Sequence, residues 1–264
     1  MKVAFCLHGL AGGLSEKYGG MPVDFKIGYE HYKKHILDKN DCDVFLHTWS
    51  VQSEEEIKKV YMPKKSIFET QIIFDKPNFL KKIFSKRPYM KHATYSRWYS
   101  TKKAIEMKRQ YEEENNFKYD CVFISRFDFA FFNDVIFNNY DMNKFYAPHA
   151  FRYISPEGKE IPNNQYWDVA KKADMSKYTK KPIGYPYNNE GLSDLFFFSN
   201  SDFMDRFAAL YDNLNSYLKE CECSSHMLAL HHIKKLDLLG KLDFALYRFE
   251  DFDLVRRKFF GYVK

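Results

Sequence analysis

Residues 119–132 read Y-D-C-V-F-I-S-R-F-D-F-A-F-F, and their interpretation decides the fold. Cys121-Val122-Phe123-Ile124 is a short apolar run broken by the polar Ser125-Arg126-Phe127-Asp128. Such a run, bounded by polar residues, is what a strand buried on both faces looks like. Two earlier stretches repeat the pattern: Val3 to Leu7 is closed by His8-Gly9, and Cys42 to Leu46 by His47-Thr48-Trp49-Ser50. Between them, residues 24–38 carry Phe25, Tyr29, Tyr32 and Ile36 at helical spacing. Ser53-Glu54-Glu55-Glu56 has the hydroxyl and acids of a helix start. Ile72-Ile73-Phe74 predicts a third strand, stopped by Asp75-Lys76-Pro77, and residues 92–115 predict a long helix. Strands alternating with helices imply an α/β domain with a mixed, mainly parallel central sheet and flanking helices.

The later sequence is less regular. Residues 152–190 are rich in Pro, Asn, Lys and Tyr and hold no clean period, which predicts an irregular lid or acceptor-side insertion. A strand is expected at Leu195 to Phe198, a helix from Ser201 or Asp202, a helix at His226 to Ile233 and a last strand at Phe244 to Phe249. With 264 residues, one domain over 1–264 is the expectation. Hydrophobic residues at 45% and aromatics at 19% exclude a disordered chain. The start MKVAFCLHGL has no signal-peptide pattern, and no run reaches the ~18 apolar residues of a membrane helix. The chain therefore reads as soluble and cytoplasmic. Five cysteines suit free thiols in a reducing compartment, and Cys221-x-Cys223-x-x-His226 lacks the spacing and second pair of a structural zinc site.

Charge is concentrated. The formal net charge is +6, yet no acidic residue stands between Asp75 and Glu106, where nine Lys and Arg fall. Phe79, Leu80, Ile83 and Phe84 interleave with Lys81, Lys82 and Lys86, so peripheral contact with an anionic membrane is one reading and a solvated face another. No nucleic-acid-binding motif is visible, and none is expected as partner.

Ligands of open α/β sheets bind beyond the carboxyl ends of the strands. The residues there are His8-Gly9, His47-Thr48-Trp49, Asp75-Lys76 and Ser125-Arg126-Phe127-Asp128, with Glu190-Gly191-Leu192-Ser193-Asp194 just before a later strand. Imidazole, guanidinium, carboxylate and indole groups together suit an anionic, hydroxyl-rich ligand bearing an aromatic base. GxxxxGK[ST], GxGxxG and G-x-S-x-G are all missing, which excludes the standard phosphate loops and the α/β-hydrolase elbow.

YDCVFISRFDFAFF resembles the segment carrying the metal motif in GT-A glycosyltransferases of bacterial capsule and O-antigen loci and their relatives in large DNA viruses. KVAFCLHG, DCDVFLHTWS and EGLSDLFFFSNSDFMDRFAALYD resemble that family's first strand, second strand and acceptor-side segment. The resemblance implies a single GT-A-like, Rossmann-like domain acting as a hexosyltransferase on a UDP-sugar such as UDP-glucose. Its acceptor would be a glycan, a lipid-linked molecule or a protein. His8, Gly9, His47, Trp49, Lys103, Arg126 and Asp128 would bind the donor, and Asp194 or Glu190 would be the catalytic base.

The family's Asp-x-Asp reads Arg126-Phe127-Asp128 here. Asp128 would be the motif's sole acidic ligand for Mn²⁺ or Mg²⁺, with His226, His231 or His232 adding a further ligand. In a metal-free scheme, Arg126 and Lys103 would neutralise the diphosphate instead. Two alternatives of other classes remain open: an adaptor for polyanions or membrane surfaces, and a nucleotidyltransferase.

Overall fold

The computed structural model describes residues 1–14, 22–76 and 89–255. Seven strands form the central sheet: β1 (Lys2–Gly9), β2 (Asp41–Thr48), β3 (Lys65–Phe68), β4 (Cys121–Arg126), β5 (Phe145–His149), β6 (Phe197–Ser199) and β7 (Leu242–Tyr247). Their spatial order is β7-β5-β6-β4-β1-β2-β3. Pairing is parallel throughout except for β6, which runs antiparallel to both β4 and β5. The protein is an α/β, Rossmann-like fold of GT-A-like layout with a mixed, mainly parallel sheet, as the sequence predicts.

Helices α1 (Phe25–His35), α2 (Glu54–Tyr61), α3 (Met90–Asn115), α4 (Ser201–Ala208), α5 (Leu210–Tyr217) and α6 (Ser225–Lys235) flank the sheet. Side chains alternate along a strand, so each strand feeds two cores. Ala4, Cys6, Phe45, Val122 and Ile124 pack with Trp98, Ala104 and Ile105 of α3 on one face. Val3, Phe5, Leu7, Val44, Leu46, Cys121 and Phe123 pack with Phe25 and Tyr32 of α1 on the other. That double burial is why these strands read as unbroken apolar runs rather than as alternation.

Gly28 fixes how closely α1 lies on the turn after β4. A Cβ at Gly28 would stand 2.1 Å from the Phe127 carbonyl oxygen, so only glycine fits. Tyr32, one turn further along α1, donates to the Arg126 carbonyl at 2.5 Å and meets Ser125 Oγ at 2.9 Å. Helix and strand end are thereby locked together. On the opposite face, Lys108 Nζ is fully buried and satisfied by Glu112, Ser201 and Asp205 at 2.9, 2.6 and 2.7 Å, pinning α3 to α4.

Several expectations need correction. Ile72–Phe74 is not a strand; the third parallel strand is Lys65–Phe68. β5 was not anticipated, because Pro148 and flanking Asn, Asp and Lys obscure its apolar Phe145-Tyr146-Ala147. The helix expected from Ser201 is broken at Ala209 into α4 and α5. Within residues 152–190 the chain is more ordered than its composition suggests. Phe151–Ile154 pairs antiparallel with Glu160–Ile161 and Thr179–Pro182, over a cluster of Phe151, Tyr153, Tyr166 and Phe249. Phe79 to Arg87 of the cationic stretch lie outside the described residues, as does the membrane reading built on them. Among the described residues no helix is long and apolar enough to cross a membrane.

Candidate functional site

Register assembles the site. His8 pairs with His47 of β2 on one side and with Arg126 of β4 on the other, so His47, His8 and Arg126 form one rank across three parallel strands at their carboxyl ends. In-register residues share a face, and this rank continues the face of Cys6, Phe45 and Ile124 that α3 covers. α3 then contributes Arg97 and Ser100 above the rank, and the approach to β6 contributes Asp194.

Arg97 holds Asp194 at two points. Its Nη2 donates to the Asp194 carbonyl at 2.5 Å, and its Nε lies 3.4 Å from Oδ2. Asp194 Oδ1 is also 3.4 Å from His226 Nε2, while His226 Nδ1 sits 2.6 Å from the Leu192 carbonyl. Gly191 lets this segment pass α6, since a Cβ there would stand 2.4 Å from the His226 carbonyl carbon. Arg126 Nη2 donates to Asp128 Oδ2 at 2.7 Å, and Asp128 is 1% exposed. The Asp128 carbonyl accepts from Val255, so the turn is anchored at both ends.

Burial, with Arg97 and Arg126 adding to it, holds His8 well below the ordinary imidazole range, against Asp194. Burial thus favours the neutral His8 ring, and its buried Nδ1 has no hydrogen-bond partner among the described residues. Burial also lowers Arg97, with Asp194 opposing and Arg126 adding. Two cations are therefore held close enough to repel each other, each with a carboxylate beside it.

The other predicted residues are placed as follows. Gly9 has φ +97° and donates its N–H to Ser100 Oγ at 2.8 Å. His47 is fully buried and bonded to Ser100 and Glu69. Trp49 is buried, edge-on to His47 and stacked on Tyr99 at 5.6 Å, a packing position. Lys103 lies over the Tyr99 ring and 3.2 Å from Glu106. Glu190 is exposed in a turn, its N–H held by Asn188 Oδ1 at 3.0 Å. His232 is buried between Tyr217 and the Arg206 carbonyl, and His231 faces Glu220.

Among the described residues, no three His, Cys, Asp or Glu side chains stand together as a metal cage. Asp128 and His226, the ligands expected for Mn²⁺ or Mg²⁺, contact different partners. Among the described residues a cavity of about 520 Å³ opens at the amino-terminal edge of the sheet, lined by Met1, Lys118, Asp120, Asn200 and Asp202 among others, away from the rank.

Arg97, Ser100 and Glu69 are site residues that the sequence reading missed. Arg97 sits three residues before Ser100 on α3, in a stretch where Thr94, Ser100 and Thr101 are buried alongside Trp98 and Ala104. Small hydroxyl residues at core spacing were the available signal that this helix face meets polar groups.

No protein-family model and no curated protein matches the chain. Among solved structures, it is similar to CTP:phosphocholine cytidylyltransferase from Streptococcus pneumoniae, at 10% identity and TM-score 0.47, over 98% of this chain and 95% of that one. It is also similar to 4-diphosphocytidyl-2C-methyl-D-erythritol synthase from Anaerococcus prevotii, at 12% identity and TM-score 0.47, over 97% and 91%. At these values the likeness concerns layout alone. Neither name is that of a hexosyltransferase, and the reading as a UDP-sugar hexosyltransferase with glycan, lipid-linked or protein acceptors is not retained.

Proposed function

We propose that the chain is a nucleotidyltransferase that binds a nucleoside triphosphate at the carboxyl edge of β1, β2 and β4. The observation that carries this reading is the placement of Arg126 beside His8 in the rank at the strand ends, with Arg97 of the covering helix held by Asp194 and Arg126 held by Asp128. Two guanidinium groups that are mostly buried, 12% and 21% exposed, are held there at a cost, which an anionic ligand offsets. Their planar forks match phosphate oxygens, and a neutral imidazole beside them adds a hydrogen-bonding group without further charge.

The chemistry follows from the charges. An oxygen nucleophile of the second substrate forms a bond to the α-phosphorus while the α–β bridging P–O bond breaks. Pyrophosphate departs with that electron pair. Negative charge grows on the leaving phosphates, and Arg97 and Arg126 are the groups fixed in place to stabilise it. Asp194 and Asp128 hold the two guanidinium groups in position, which suits counter-ions better than proton acceptors.

Incubation with each of the four ribonucleoside triphosphates and a mixture of phosphorylated and hydroxylated acceptors, read by pyrophosphate release, tests this. Release with one preferred base supports it. No release and no triphosphate binding rejects it.

A further inference from the structure

The residues behind the rank form a continuous hydrogen-bonded chain. His47 Nε2 is 2.7 Å from Glu69 Oε1, His47 Nδ1 is 2.6 Å from Ser100 Oγ, and Gly9 N–H donates to Ser100 Oγ at 2.8 Å. Proton bookkeeping gives it one direction. A carboxylate only accepts, so Nε2 carries the imidazole proton. Nδ1 of the neutral ring then accepts from the Ser100 hydroxyl, whose oxygen accepts from Gly9. Burial keeps the His47 ring neutral despite Glu69, with Lys103 acting in the same sense as burial. The rings of Trp49 and Tyr99 close over it edge-on at 4.7 and 5.6 Å.

The order serine, histidine, carboxylate is that of a hydrolytic triad, but Ser100 cannot be a nucleophile here. It is fully buried, and its oxygen is already engaged by Gly9. What the chain does hold is the His8–Gly9 peptide. The next peptide is held as well: the Gly9 carbonyl accepts from Trp49 N–H at 3.3 Å.

We propose that Glu69, His47 and Ser100 are positioning residues that fix the His8–Gly9 peptide, and with it the His8 ring, beside Arg97 and Arg126 for triphosphate binding. This rests on the nucleotide reading above. Glu69 fixes the His47 tautomer, the tautomer orients the Ser100 hydroxyl, and Ser100 fixes Gly9. The link matters because Gly9 has a positive φ at the very end of β1, where no side chain of its own packs to fix it: a Cβ built there meets nothing within 4 Å, so its backbone hydrogen bonds to Ser100 and Trp49 set its position.

Nitrogen-15 NMR of the imidazoles and calorimetric titration with each nucleoside triphosphate test the proposal together. The wild type should show His47 as the Nε2–H tautomer, and Glu69→Ala should convert it to a mixture. Ser100→Ala should weaken triphosphate binding about tenfold, the effect of one lost hydrogen bond, and Ser100→Thr, which keeps the hydroxyl, should restore most of it. If Ser100→Ala does not fold, Glu69→Ala takes its place, with a loss of about threefold. A wild-type Nδ1–H tautomer, or unchanged affinity in the variants, overturns the chain while leaving the nucleotide reading intact. Absence of triphosphate binding by the wild type overturns the nucleotide reading and this role with it.

Discussion

His8 and Arg126 are register partners at the ends of adjacent parallel strands, and Arg126 turns from that rank to donate to the buried Asp128 at 2.7 Å. The pair occupies the place where the sequence suggested a metal motif. Removing one member of such a pair leaves the other charge poorly compensated. Because Arg126 is about a fifth exposed, the cost is expected somewhat below the range for a fully buried pair, about 2 kcal/mol for Asp128→Ala. Asp128→Asn, which keeps an acceptor, should lose less. Urea denaturation measures both, and a change under about 0.5 kcal/mol for Asp128→Ala would show the contact to be inconsequential.

Gly28→Ala probes the same turn from the other side. The new methyl group meets the Phe127 carbonyl, which is backbone and cannot rotate away. A loss of roughly 2 kcal/mol or more in stability is expected, together with weaker triphosphate binding as Arg126 is displaced. Gly28→Ala at wild-type stability would mean that α1 does not pack on this turn as described.

Part of the acid sensitivity should come from His232, alongside the buried His8 and His47. Burial lowers the His232 pKa to about 4, and its ring lies between the Tyr217 hydroxyl at 2.9 Å and the Arg206 carbonyl at 3.2 Å. The folded value is depressed below the unfolded value near 6.5, so the unfolded chain binds the proton first as pH falls. Stability is therefore lost between about pH 6.5 and pH 4, by roughly 3 kcal/mol for this group, and no further below that. Denaturant midpoints measured across this range check it, with His232→Gln expected to reduce the dependence by its own share and leave that of His8 and His47.

The sequence disclosed the parts of the fold whose burial is two-sided. β1, β2 and β4 are apolar on both faces, so their limits and their polar termini could be read directly, and the strand-end rule pointed to His8, His47 and Arg126. β3 was misplaced because its four residues are only half-buried and two of them are polar, whereas Ile72 and Ile73 are exposed apolar residues outside any strand. The ribbon at Phe151–Ile154 was hidden because four residues give too little alternation to register. Arg97 and Glu69 reach the site from a helix flank and a loop. Only tertiary packing brings them there, and neither the charge pattern nor the periodicity records it.

The central claim is that Arg97 and Arg126 form a triphosphate site beside His8. Calorimetric titration of nucleoside triphosphate into wild type and Arg126→Gln tests it most directly, because Gln keeps hydrogen bonding but removes the charge. The prediction is saturable binding by the wild type, weakened tenfold or more in Arg126→Gln, as expected for loss of a charged contact, and competed by pyrophosphate. Equal affinity in the two proteins, or no binding by the folded wild type, would contradict it.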